Sequence, residues 1–323
     1  MPLGLEKVAL MAASGGAEET YVPTKDHTVG GYSDSGYNFV NTVFTASSNS
    51  WATATAYSEA GWTGFFDHTL IVDGQNGISY QLGGRKRESS SNGNTGTSKK
   101  YVFDTDTWSS ITAASAKPRL QTNAIVEDKI YICSGWQEVA ETLNAAVYEY
   151  DIAGNSYSAK TSMTFARGGC NNFGTQVGGK VYVTGGVSST GSDASQSKVE
   201  EYTQSTNAWS TKTSITNYFI WGGGNAIEEQ LFCHGGRNNS GGQFDTTYRY
   251  TQATDTWATR TAFSTALQNC WSYAVNNSGT TYSYIHGGST SAASNTTTNW
   301  YYNDAGDSYT SQSAMTTGRR LDP

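Results

Sequence analysis

The residues best suited to chemistry are four histidines, three spaced arginines and a scatter of aromatic rings. His234 and His286 each stand immediately before a glycine pair, Gly235-Gly236 and Gly287-Gly288, so they hold the same place in a recurring pattern. His27 and His68 lie apart from them. Two histidines on one ring could approach a shared ion, but no acidic or third ligand accompanies them at metal-site spacing. A structural role is therefore expected, with no metal and no cofactor. Arg119, Arg167 and Arg319 each follow an aromatic anchor by ten or eleven residues. Three guanidiniums brought to one face could grip a carboxylate. Cys133, Cys170, Cys233 and Cys270 form no Cys-x-x-Cys and read as small buried hydrophobes rather than a disulfide framework.

Positioning such groups requires a scaffold, and the chain announces one by repetition. Counting back seven residues from Trp51, Trp108, Tyr157, Trp209, Trp257 and Tyr309 gives Phe44, Tyr101, Tyr150, Tyr202, Tyr250 and Tyr302. Two residues before each anchor stands a turn former: Asn49, Asp106, Asn155, Asn207, Asp255 or Asp307. Four residues after it stands a small hydroxyl: Thr55, Thr112, Thr161, Thr213, Thr261 or Ser313. Upstream, a short β-prone run closes on Gly30-Gly31, Gly83-Gly84, Ser134-Gly135, Gly185-Gly186, Gly235-Gly236 or Gly287-Gly288, at intervals of 50 to 53 residues. A period near fifty built from short strands indicates propeller blades rather than a helical solenoid.

The pattern resembles kelch repeats, in which a strand ends on a glycine pair, the next carries an aromatic, and a Trp opens the one after. The likeness covers roughly residues 17–323 and implies an all-β, six-bladed kelch-like β-propeller. The 14 residues after Tyr309 and the 29 before Gly30 exceed one link by about fifteen. Blade 1 should thus take its inner strands from the N-terminal side, near Glu19 to Val22 and His27 to Gly31. Residues 1–14 remain as an extension to a propeller spanning 15–323.

Composition narrows the function. Charged residues make up 15% of the chain and the net charge is −7, which argues against a nucleic-acid partner. No apolar run approaches spanning length, so membrane insertion is not expected, and Glu6 and Lys7 interrupt the N-terminal apolar stretch too early for a secretion signal. The links between blades are rich in rings: Trp62 with Phe65 and Phe66, Tyr218 with Phe219 and Trp221, and Trp271. Exposed on one face with Arg119, Arg167 and Arg319, they would form a surface for a sugar or a protein. Arg85 and Arg237, each following a glycine pair, read as loop anchors.

The stretch from Leu5 to Gly16, with its Ala-Ala-Ser-Gly, resembles the opening of tailed-bacteriophage structural proteins. That resemblance implies a non-enzymatic virion component (tail, fibre or capsid decoration) present in multiple copies. Leu5, Val8, Leu10 and Met11 would dock it to other virion proteins, and the aromatic face would meet a sibling protein or a host-surface glycan. Two alternatives stand beside it. Kelch propellers include enzymes similar to galactose oxidase, and sialidase-type propellers use an arginine cluster, but the sialidase Asp-box is not matched by Asp104-Thr-Asp-Thr-Trp108. The other alternative is a kelch scaffold for a cellular protein.

Overall fold

The alternating Ile, Val and Tyr of runs such as Lys129–Cys133 and Lys180–Thr184 suit a pleated surface buried on both sides. In the computed structural model these runs are strands buried along almost their whole length. The structure describes residues 24–320, except 34–35, 75, 89–90, 116–118, 137–141, 170–173, 178, 189–195, 218–219, 239 and 292–293. Five antiparallel four-stranded sheets follow in order. They run from Thr69–Asp73 to Thr107–Ile111, Thr122–Val126 to Ser156–Lys160, Gly174–Val177 to Ala208–Lys212, Gly223–Ile227 to Thr256–Arg260, and Trp271–Asn277 to Ser308–Ser311. These are blades 2 to 6. Blade 1 comprises Lys25–Val29, Asn41–Thr45 and Ser50–Ala54. Its second strand begins two residues earlier than expected, and the strand expected near Glu19 to Val22 lies outside the described residues, as does the 1–14 extension.

Every position of the eight-residue pattern has a mechanical reason. The two aromatics are direct cross-strand partners in all six blades, Phe44 with Trp51 through Tyr302 with Tyr309, with ring centroids 4.9 to 5.1 Å apart. The Asn or Asp between them takes the left-handed conformation that turns the chain, with φ from 43° to 51°. Its Oδ1 accepts the phenolic O–H of the tyrosine in blades 2 to 6, for example from Tyr101 to Asp106 at 2.7 Å.

The same Oδ1 also accepts a backbone N–H from the preceding blade. Thr55 donates to Asp106, Thr112 to Asn155, Thr161 to Asn207, Thr213 to Asp255 and Thr261 to Asp307, at 2.7 to 3.0 Å. Ser313 donates to Asn49 at 2.8 Å, which closes the ring between blades 6 and 1. Where the anchor is Trp, its indole N–H returns a bond to the same residue's carbonyl: Trp51 to Ser313, Trp108 to Thr55, Trp209 to Thr161 and Trp257 to Thr213. The anchors therefore clamp neighbouring blades through backbone groups of the hydroxyl positions.

The blade interfaces are of two kinds. Between blades 2, 3, 4 and 5 they are apolar, built on Tyr80, Ile130, Tyr131, Val181, Tyr182, Val199, Leu231 and Tyr250. At the position held there by Ile130, Val181 and Leu231, blades 2, 6 and 1 carry Ser79, Ser283 and Asp26, all fully buried. Those three interfaces are hydrogen-bonded.

Candidate functional site

The histidines serve these polar interfaces. His234 Nε2 bonds Ser283 Oγ at 2.6 Å, and its Nδ1 faces the Tyr309 hydroxyl at 2.7 Å. At the equivalent place one blade on, His286 Nε2 bonds Asp26 Oδ2 at 2.9 Å. His286 Nδ1 faces Asn299 Oδ1, whose amide nitrogen is committed to Ser313 O. His27 reaches Ser79 Oγ at 2.6 Å and stacks on Tyr101, and His68 stacks on Phe65 with centroids 4.4 Å apart. Burial lowers His27, His68 and His234 to about 3, so all three are neutral at pH 7. His234 and His286 look to different partners, and no group of three or more metal-ligating side chains occurs among the described residues.

The arginines do not converge. Arg167 and Arg319 occupy the same link position, and both are buried. Arg167 Nη2 bonds Glu200 at 2.6 Å, and its Nη1 donates to Gly185 O and Lys198 O. Arg319 repeats this geometry in blade 1, donating to Val40 O, Thr28 and Thr42. Thr42 stands where Glu200 stands in blade 4, so this guanidinium has hydroxyl rather than carboxylate partners, and burial lowers it to about 10. Arg119 lies one residue further along its link. A one-residue step reverses a side chain's direction in extended backbone, and Arg119 instead lies over Trp136, 3.5 Å from Asp67. The expectation of an arginine triad on one face is corrected: each guanidinium is packed into its own blade junction.

The aromatic face is corrected as well. Phe65, Phe66 and Trp271 are at most 2% exposed and Trp221 is 7% exposed, because the links pass between blades rather than over them. Trp271 fills the space above two glycine pairs: a Cβ on Gly31 or Gly287 would stand 3.3 or 3.2 Å from its ring. Trp62 is half-buried on Phe65, and Tyr218 lies outside the described residues, as do Cys170 and the docking residues Leu5, Val8, Leu10 and Met11. Cys133, Cys233 and Cys270 are buried free thiols, as expected. Among the described residues the one exposed large hydrophobic is Val40.

What the links build is a rim. After each glycine pair the chain forms a short ribbon that pairs with the link leading into that blade. Gly31 and Gly288 permit the approach: a Cβ there would stand 2.6 and 2.7 Å from the carbonyls of Arg320 and Gln268. The directly opposed pairs around the rim are Tyr32 with Arg320, Arg85 with Phe66, Trp136 with Arg119, Val187 with Gly168, Arg237 with Ile220, and Ser289 with Gln268. Three consecutive blades thus oppose an arginine to an aromatic, with the two roles exchanged in blade 2. In blade 5, Arg237 lies 3.9 Å from the Trp221 ring centre.

Comparison with known proteins agrees with this architecture. The family model for the Kelch motif matches residues 168–214, which run from the link before blade 4 through its outermost strand. The solved structure of YjhT superposes with a TM-score of 0.69 at 14% identity, covering 92% of this chain and 99% of that one. The fold is a kelch-type β-propeller. No curated protein matches the chain. A likeness at this level of identity carries the fold and not the function.

Proposed function

We propose that this propeller is a non-enzymatic structural and adhesion component of a phage particle, as a tail, fibre or capsid decoration protein. The observation that carries the non-enzymatic reading is the burial of the candidate chemical groups. Arg167, Arg319 and the four histidines are fully or almost fully enclosed and face partners within the ring. On the rim ribbons, by contrast, half-exposed arginines and tyrosines such as Arg85, Arg87, Tyr32 and Tyr37 are available to meet a sibling protein or a host-surface glycan. The resemblance of Leu5 to Gly16 to phage structural proteins supports a particle location, with Leu5, Val8, Leu10 and Met11 as the docking residues. Many copies on one particle would raise avidity without strong single sites.

Removing residues 1–14 tests the reading. The shortened chain is expected to stay folded and soluble but to be missing from assembled particles. Incorporation at the full-length level would contradict docking through this arm.

A further inference from the structure

The rim of blades 1 and 2 has chemistry that the fold does not require. Ribbon Arg85–Arg87 pairs on one side with Gly64–Phe66 and on the other with Asn92–Asn94. In this register Arg85, Phe66 and Asn94 stand abreast, with Arg87 two residues along on the same face. Lys86 projects from the opposite face, where Glu88 neutralises it at 2.6 Å.

The Arg85 face continues onto the ribbon of blade 1. Phe66 stacks on Tyr37 at 4.2 Å, and Tyr37 meets Tyr32 edge-on at 5.2 Å. Arginines lie over this ladder along its length: Arg85 on Phe66 at 5.6 Å, Arg87 on Tyr37 at 6.0 Å, and Arg320 on Tyr32 at 5.0 Å. All three arginines and both tyrosines are half-exposed. The neighbouring carboxylate Asp67 is buried and lies against Arg119.

Two donors on this face lack an acceptor among the described residues. Arg85 Nε is buried and unbonded, and so is Nδ2 of Asn94, a side chain only 7% exposed and directly across from Arg85. Buried donors without partners are rare because each costs about 1 to 3 kcal/mol. An unbonded Nε recurs on other buried arginines of this ring, Arg167 and Arg319 among them; here it stands across the strand from the unbonded amide of Asn94, and the two together offer a place for an oxygen acceptor. A guanidinium is planar by delocalisation, and its fork of N–H groups can receive a carboxylate in two parallel bonds. Half-exposed tyrosine rings beside it offer flat apolar surfaces to a sugar.

From this juxtaposition we propose that the blade 1–2 rim is a binding site for an acidic saccharide, a glycan bearing carboxylate or sulfate groups. Arg85, Arg87 and Asn94 take the anion, and Tyr32 and Tyr37 take the ring. The proposal deepens the glycan-facing reading above and rests on it. A saccharide fits better than a nucleic acid because the half-exposed arginines that adjoin one another, Arg85, Arg87 and Arg320, form a short patch on blades 1 and 2, in a chain of net charge −7 that repels an extended polyanion.

The test is calorimetric titration of the full chain with a panel of carboxylated and sulfated oligosaccharides, their methyl-esterified or desulfated parents, and a single-stranded DNA oligonucleotide. At least one acidic member should bind ten-fold or more tightly than its neutral parent. Arg85→Gln and Arg87→Gln should each weaken that binding about ten-fold, Arg85→Lys by less, and Lys160→Gln on the outer strand of blade 3 not at all. Unchanged melting temperatures would show that the variants fold. Equal binding of acidic and neutral partners would overturn the acidic-site assignment while leaving the glycan-facing reading intact. DNA binding as tight as the best saccharide, or no saccharide binding at all, would overturn it too, and the last outcome together with normal particle incorporation would turn the rim toward a protein partner.

Discussion

Acidification should unfold this propeller well before its carboxylates titrate. His27, His68 and His234 sit at about 3 in the folded chain, against an ordinary 6.5, because burial disfavours their charged form. On unfolding each takes up a proton wherever the pH lies between those values. Their contribution to stability is therefore complete above pH 6.5 and is lost progressively as pH falls toward 3. Three such groups give a slope of about 4 kcal/mol per pH unit below pH 6, and a loss of about 6 kcal/mol between pH 7 and pH 5. Against a usual stability of about 5 to 15 kcal/mol, that is enough to bring the ring near its unfolding point. Urea unfolding followed by tryptophan fluorescence at pH 7, 6 and 5 measures the slope directly. His234→Gln, which keeps polar contact with Ser283 and Tyr309 but cannot titrate, should reduce it by about a third. A slope below about 1.4 kcal/mol per pH unit between pH 6 and 5, the value for a single proton, would refute the reasoning.

Two further substitutions probe the ring. Glu200→Ala strands the Arg167 guanidinium in a fully buried junction with only carbonyl partners, and should cost about 3 to 5 kcal/mol by the same urea assay. A cost under about 1 kcal/mol would mean that the pair is dispensable. Asn49→Gly keeps the left-handed turn but removes the acceptor for Ser313 N–H at the seam of blades 6 and 1. It should cost about 1 to 3 kcal/mol and speed hydrogen exchange at the Ser313 amide; unchanged protection there would contradict the closure described above.

The blades were legible because the bonds that join them recur at fixed spacing. An aromatic, an Asx five residues along, the anchor two beyond that and a small residue four beyond the anchor are the visible parts of one clamp. The small residue's role was only half legible, since its backbone N–H makes the bond to the Asx in every blade, and a hydroxyl such as that of Thr112, which donates to Asn155 O, only adds to it. The functional expectations failed where direction and burial depend on distant chain. Arg119 looks equivalent to Arg167 and Arg319 until its one-residue offset is matched to the backbone, which sends it to Trp136 and Asp67. Trp271 and Phe65 look exposed in polar links but are enclosed by blades contributed from elsewhere. The Asp26–His286 contact joins residues at opposite ends of the chain, and no local pattern announces it. The rim did leave a signal: an arginine directly after the glycine pair in blades 2 and 5, read as a loop anchor when taken one repeat at a time. Its meaning comes from the cross-strand aromatic and from Asn94, which only the register supplies.

The most direct test of a particle-borne, non-catalytic propeller is quantitative mass spectrometry of purified phage particles from the source of this sequence. The account predicts this chain at a fixed number of copies relative to the other structural proteins. Particles that lack it, with the chain recovered free or in host-cell fractions, would contradict the account.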